Sequence, residues 1–308
     1  FQAMNTGMQM TLFPAASVSH AEGEAALEEA EALVRGYEAR FSRFLADSEL
    51  LLLNSAAGRW TSISADMAEV LTLAQTMHAE TGGLFDPGIL PQLERAGYDR
   101  SFERVPFERP ALDGPLSGGC RLGTIEFDGP RQLRLPVGCR LDLGGIVKGW
   151  AADKAGDWLA RFGPALVDLG GDIAVASTLP DGVAWRIGVD RPDRPGELLT
   201  VLEVPPGGVA TSGTNRRRWR RGQEWMHHLI DPRTGQPACT DLAQVVALAS
   251  SAARADVWAK TAVILGSDGC RRLAAEHPEI SLLLVLTEGT AVATPGVKVS
   301  GGQAQPAA

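Results

Sequence analysis

Apolar residues recur along this chain with two periods. Across residues 22–37 they fall at helical spacing, with Ala26, Leu27, Ala30, Leu33 and Val34 on one face, so an acidic amphipathic helix is expected there. Residues 63–81 repeat the pattern with Met67, Val70, Leu71, Leu73, Ala74 and Met77, and Gly82-Gly83 reads as the stop. Further helices are expected over residues 148–162 and 254–265. Between and after them lie short runs of strand composition: residues 1–13, 125–127, 132–135, 165–176 with an internal Gly-Gly turn, 185–190, 198–204, 209–213, 243–249 and 280–286. Residues 107–119, rich in Pro and Gly, read as a connecting loop, and the Gly, Ala and Gln of residues 295–308 as a flexible C-terminal tail.

Composition narrows the class. A chain of 308 residues with 44% apolar content can bury a substantial core. No run approaches the roughly 20 apolar residues of a membrane span, and the start shows neither a basic and apolar export signal nor a lipobox cysteine, so a cytoplasmic location is expected. With 29 basic against 37 acidic residues the net charge is −8, which speaks against a nucleic-acid binder. The basic run at Arg216, Arg217, Arg218, Arg220 and Arg221 reads as a solvated hairpin or a guide for an acidic target. Cys120, Cys139, Cys239 and Cys270 lack C-x-x-C spacing, so four free buried thiols are expected.

The candidate chemistry centres on residues 141–153, LDLGGIVKGWAAD, read as a strand end, a turn and a helix start. Gly144 and Gly145 suit positive φ and close backbone approach, and helix-start amides attract phosphates. Asp142 either accepts from a ribose or purine or only caps the helix, and Lys148 either pairs with a phosphate or is only solvated. A second Asp-Leu-Gly-Gly turn at Asp168 would suit a dinucleotide. Asp86-Pro87-Gly88 is a turn with its carboxylate facing outward. Thr211 and Ser212 donate to phosphate oxygens or satisfy a turn. His227-His228 precede Leu229-Ile230-Asp231-Pro232 at a strand end, and Asp256 lies in the first turns of a helix, where dipole compensation is the plain reading.

Taken in order, AMNT at residues 3–6, FSRF and SELLLLN up to Asn54, FDPGILPQL from Phe85, LDLGGIVKGWAAD, LVDLGGDIAV from Leu166, ATSG at 210–213, HHLIDPRTG from His227 and ADVWAKTAVILG from Ala255 resemble the FAD:protein FMN transferase, or ApbE, family. The resemblance covers nearly the whole chain. It implies one domain over residues 1–294 with an α+β fold, two related sheet-and-helix halves and FAD in a cleft between them. It implies FMN transfer from FAD to a Ser or Thr hydroxyl of a target flavoprotein, with release of AMP. Met4, Phe44, Asp86, Asp142, Lys148, Thr211, Ser212 and Ile230 match cofactor contacts. His228, Lys148 and Asp256 match catalytic positions, and the Gly145 carbonyl with Asp256 matches the ligands of a magnesium ion.

The chain departs from the family pattern at three places. Ala259 and Lys260 stand where oxygen ligands usually follow Asp256, Asn5 stands where Gly is usual, and Gly88 where Thr often follows Asp-Pro. An ammonium in a magnesium site repels the ion, so Lys260 is a candidate replacement for it. Two alternatives follow: an FAD-binding protein of the same fold with a degenerate metal site, and an FAD pyrophosphatase.

Overall fold

The computed structural model describes the chain except Asn5, residues 112–119, Pro195, residues 301–304 and residues 307–308. Most of the expected 107–119 loop therefore lies outside the described residues. The chain divides into two compact units, one of Phe1–Tyr37, Lys148–Gly213 and Thr240–Ala308, the other of Glu38–Val147 and Thr214–Cys239. The helices are α1 (His20–Phe41), α2 (Glu49–Ser55), α3 (Ala65–Glu80), α4 (Leu90–Ala96), α5 (Val147–Leu159) and α6 (Ala252–Glu276).

The first unit is built on an eight-stranded sheet: β1 (Gln9–Leu12), β2 (Ala165–Asp168), β3 (Asp172–Val175), β4 (Gly207–Gly213), β5 (Leu242–Ala249), β6 (Ser281–Leu286), β7 (Ala291–Ala293) and β8 (Gln305–Pro306). Their order in space is their order in sequence, and the pairs are antiparallel except β7 with β8. Alternation along the strands sends Val209, Val246 and Leu248 to one face, where the hairpin of Trp185–Asp190 and Leu198–Val204 covers them with Trp185, Val189, Leu202 and Val204. Val245 and Ala247 point the other way, and α6 packs on β4 and β5. That helix is capped by Ser251, which accepts from the Arg254 amide, and by Asp153, which accepts from the Ala252 and Ala253 amides at 2.7 and 3.0 Å. Burial, only partly offset by those amides, raises the Asp153 carboxyl to about 6.

Three expectations change here. Residues 1–13 form a hairpin (Gln2–Ala3, Thr6–Gly7) before β1, because Met4 turns with φ 48°. On α1 Ala26, Ala30 and Val34 are buried but Leu33 is exposed. The tail is bonded further than expected, with Glu203 N donating to Lys298 O and Ser300 N to Val201 O.

The second unit combines α2, α3 and α4 with small sheets of two and three strands. Helix α3 buries Met67, Val70, Leu71, Ala74 and Met77, is capped by Ser64, and is stopped by Gly82 and Gly83 at φ 59° and 82°. Helix α4 helps build a core of Leu93, Ala96, Tyr98, Trp219, Met226 and Ile230. The arginine run forms a hairpin, Arg218–Arg221 with Glu224–His227, whose Arg218 guanidinium lies 3.7 Å from the Trp225 ring centroid. Cys120 and Cys139 form a disulfide, correcting the expectation of four free thiols; Cys239 is exposed and Cys270 buried. Their pairing depends on segments that only the fold brings together. The α+β class holds, and both units combine helices with sheet, one on an eight-stranded sheet and the other on sheets of two and three strands.

Candidate functional site

In the second unit the segment carrying Asp142 is pinned from two sides. Asn54, 5% exposed, bonds both backbone groups of Leu141, its amide to the carbonyl at 2.9 Å and its oxygen to the N–H at 2.8 Å, and Asp142 N donates to Pro87 O at 2.8 Å. The carboxylate so placed accepts from Gly144 N at 2.7 Å through Oδ1 and from Arg43 Nε at 2.9 Å through Oδ2. The Arg43 side chain is nearly buried; it also donates to Tyr98 O and stacks over the rings of Phe44 and Tyr98, 4.2 and 4.6 Å from their centroids. Burial pushes the Tyr98 hydroxyl's pKa up. Arg43 was not among the expected site residues; its signal was its place between two phenylalanines in FSRF, one of the stretches that carry the family resemblance. Gly144 and Gly145, expected to use positive φ, do not. A Cβ at Gly144 would sit 2.9 Å from Asp142 Oδ1, so Gly144 serves close approach to the carboxylate.

Asp86 faces inward, not outward. It is 6% exposed and accepts from Gly88 N at 2.8 Å and Leu122 N at 3.2 Å, with His78 Nδ1 3.7 Å away. Burial raises its pKa, against the lowering effect of those amides and of His78. Its acceptor capacity is largely taken up by the chain, so its role is to hold the turn beside Asp142. Gly88 has a steric explanation as well: a Cβ there would fall 2.1 Å from Cys120 O, which leaves no room for the threonine of the family pattern.

His227 is held neutral by burial, which lowers its pKa, with Nε2 donating to Ala238 O at 3.1 Å and Nδ1 accepting from Leu229 N at 3.2 Å. His228, next in line, is partly exposed. Ile230 is 2% exposed and belongs to the core around Tyr98 and Trp219. Asp231 caps its own turn through Arg233 N and pairs with the Arg233 guanidinium.

In the first unit Met4 sits at its left-handed turn, partly exposed. The second Asp-Leu-Gly-Gly turn joins β2 to β3, with Gly170 and Gly171 at φ 75° and 93° and Asp168 Oδ1 accepting from Gly171 N at 2.7 Å. Lys148, at the start of α5, is in ion-pair contact with Asp172, which is 1% exposed. Its neighbour Gly149 has no room for a side chain, since a Cβ would lie 2.5 Å from Ala252 O. Thr211 is exposed on β4 with its amide donating to Gly171 O at 3.2 Å, while Ser212 is buried. Asp256, 1% exposed on α6, is in ion-pair contact with Lys260. The expected residues thus separate: Phe44, Asp86, Asp142, Gly145, His228 and Ile230 belong to the second unit, and Met4, Lys148, Thr211, Ser212 and Asp256 to the first.

With this geometry in place, comparison with known proteins defines the class. The family model described as "ApbE family" matches residues 4–284. An FAD:protein FMN transferase of Treponema pallidum (strain Nichols) is 31% identical over 303 residues, covering 90% of this chain and 81% of that protein. One of Klebsiella pneumoniae (strain 342) is 26% identical over 88% of this chain and 80% of its own length. Among solved structures, an ApbE protein of Thermotoga maritima superposes with a TM-score of 0.80 at 23% identity, covering 98% of this chain and 96% of that one. The apo flavinyl transferase ApbE of Pseudomonas stutzeri gives 0.79 at 23% identity, with 98% and 93% covered. The chain belongs to the ApbE family.

Proposed function

We propose that this protein is a transferase that moves the FMN portion of FAD onto a Ser or Thr hydroxyl of a target flavoprotein and releases AMP, with residues 1–294 acting as one functional domain. The observation that carries the reading beyond family membership is the Asp142 cluster. A carboxylate fixed by Arg43 and Gly144 beside the Phe44 and Tyr98 rings offers what a planar heterocycle bearing N–H donors needs: an aromatic face and an oriented acceptor.

In the transfer the acceptor oxygen bonds to the FMN phosphorus as the pyrophosphate P–O bond breaks, and AMP leaves with the electron pair. The hydroxyl proton passes to His228, whose neighbour His227 is kept neutral and locked in place by its two hydrogen bonds. Lys148, oriented by Asp172, contributes positive charge to the phosphates. Met4, Thr211 and Ser212 are assigned to the FAD contacts, and Asp86 and Ile230 support the wall from behind. Among the described residues no helix is long and apolar enough to cross a membrane. The Cys120–Cys139 disulfide favours an oxidising compartment over the cytoplasm expected from the start of the chain.

A second reading, an FAD-binding protein without transferase activity, is favoured by the engagement of Asp256 with Lys260. Incubation with FAD and a small Ser/Thr acceptor domain separates the readings by mass spectrometry with AMP measured in parallel. An FMN-sized adduct is expected. AMP without adduct supports the pyrophosphatase, and intact bound FAD with several acceptors supports the binding protein.

A further inference from the structure

Helix α6 places Asp256 and Lys260 one turn apart on the same face, with the aspartate almost wholly buried. The Lys260 ammonium contacts Asp256 Oδ1 and donates to the Asp256 carbonyl oxygen at 3.3 Å, and its own side chain is 17% exposed. Oδ2 of Asp256 is buried and has no hydrogen-bond partner among the described residues. The lysine therefore sits on the aspartate as its counter-ion, and no solvated alternative is needed to explain it.

Family membership implies magnesium at Asp256, and the residues present do not fit that ion. Magnesium asks for about six oxygen ligands near 2.0–2.1 Å in octahedral array. Here one carboxylate oxygen already holds an ammonium, Ala259 brings no oxygen, and Lys260 brings a positive charge to the remaining position. Thr261 is the next hydroxyl along, but it lies five residues on, about 140° round the helix from Asp256, and so does not restore the missing ligand. Among the described residues no group of three or more His, Cys, Asp or Glu could hold a metal ion.

We infer that Lys260 takes the place of the metal in this chain: its ammonium, fixed by Asp256, supplies the positive charge beside the FAD pyrophosphate, and Asp256 binds no divalent cation. A single ammonium on one carboxylate is a compact point charge whose neutralising power is smaller than that of a divalent ion. It needs no free cation, so cofactor binding in this chain becomes indifferent to chelator. The inference rests on the proposed handling of FAD, whereas direct metal binding is decided without it.

The test is direct Mn²⁺ binding, by electron paramagnetic resonance of the free ion, to the full chain without FAD, in the wild type, Lys260→Thr and Lys260→Met. Lys260→Thr restores an oxygen and is expected to bind one Mn²⁺ per chain and to gain melting temperature with Mg²⁺; the wild type is expected to do neither. Lys260→Met keeps the volume of the stem while removing the charge, so it reports on the site should the threonine variant fail to fold. Its expected signature is weakened FAD binding that Mg²⁺ does not restore. FAD affinity of the wild type, measured with chelator and with Mg²⁺, is expected to agree within about twofold, and a drop of about tenfold in chelator overturns the inference. Equal Mn²⁺ binding by wild type and Lys260→Thr also overturns it. Absence of FAD binding in both buffers counts against the functional reading and leaves the Mn²⁺ result to decide on Lys260.

Discussion

The sequence Asp-Leu-Gly-Gly occurs twice, at Asp142 and Asp168, and the two copies do different work. Both fold back on themselves through the carboxylate, onto Gly144 N in the first and Gly171 N in the second, each at 2.7 Å. Beyond that they diverge. At Asp168 both glycines use positive φ to reverse the chain between antiparallel strands. At Asp142 neither does, because the chain runs on into α5, and the second carboxylate oxygen is bound by a buried arginine stacked on two rings. The shared four residues turn the carboxylate back onto a glycine amide, that of the first glycine at Asp142 and of the second at Asp168, and the element entered after the glycines, helix or strand, goes with that difference.

The largest effect expected from breaking this pairing comes from Asp142→Ala. It strips the counter-ion from Arg43, whose side chain is only 6% exposed, and a buried charge left alone costs about 3–5 kcal/mol. FAD affinity should fall by about tenfold or more, in line with loss of a charged hydrogen-bonding partner. Asp168→Ala removes the carboxylate's bonds to the Gly171 and Gly170 amides but strands no buried arginine, and should cost only about 1–2 kcal/mol, with little change in FAD affinity. Calorimetric melting together with flavin fluorescence titration checks both. Equal FAD affinity in wild type and Asp142→Ala removes Asp142 from the site.

How much of this was legible depends on range along the chain. Helices α1 and α3 and strands β4 to β6 were readable because a 3.6 or 2.0 period, or a short apolar run, is local information. The stop of the 254–265 helix was readable too, since Gly266 breaks α6 there with φ 72°. Arg43 was missed because its partner Asp142 lies far along the chain, and nothing periodic ties the two. Asp86 read as outward because the turn was recognised but the Leu122 amide that buries it was not. The short helices α2 and α4 have too few residues for a period to declare itself, and ELLLLNS presents leucines on every side. The disulfide has no motif, only a fold that brings two segments together.

The glycines sharpen the comparison at smaller scale. Gly170→Ala puts a methyl where Thr6 side-chain atoms lie 2.4 to 2.9 Å away, at φ 75°, and should destabilise the protein by about 1–3 kcal/mol with FAD affinity unchanged. Gly144→Ala meets Asp142 Oδ1 at 2.9 Å, at an ordinary φ. Its cost in stability should be under about 1 kcal/mol, while the displaced carboxylate shows as weaker FAD binding. The opposite pattern, binding lost at Gly170 and stability at Gly144, would reverse the roles assigned to the two turns.

The smallest effect is a slope with pH. Burial raises the Asp168 carboxyl above its ordinary 3.8, outweighing the Gly171 and Gly170 amides and the Lys148 charge that act to lower it. The folded chain therefore holds this proton to higher pH than the unfolded chain does. Its stabilising contribution is complete below 3.8 and is lost as pH rises through the raised folded value. Unfolding free energy, followed by urea titration in steps upward from below that pH, should carry a downward component from Asp168 that Asp168→Asn lacks, since the amide keeps an acceptor oxygen for Gly171 N and does not titrate. Parallel curves for the two proteins would mean that folding leaves the affinity of the Asp168 carboxyl for its proton unchanged, the amides and the Lys148 charge at the turn then offsetting its burial in full.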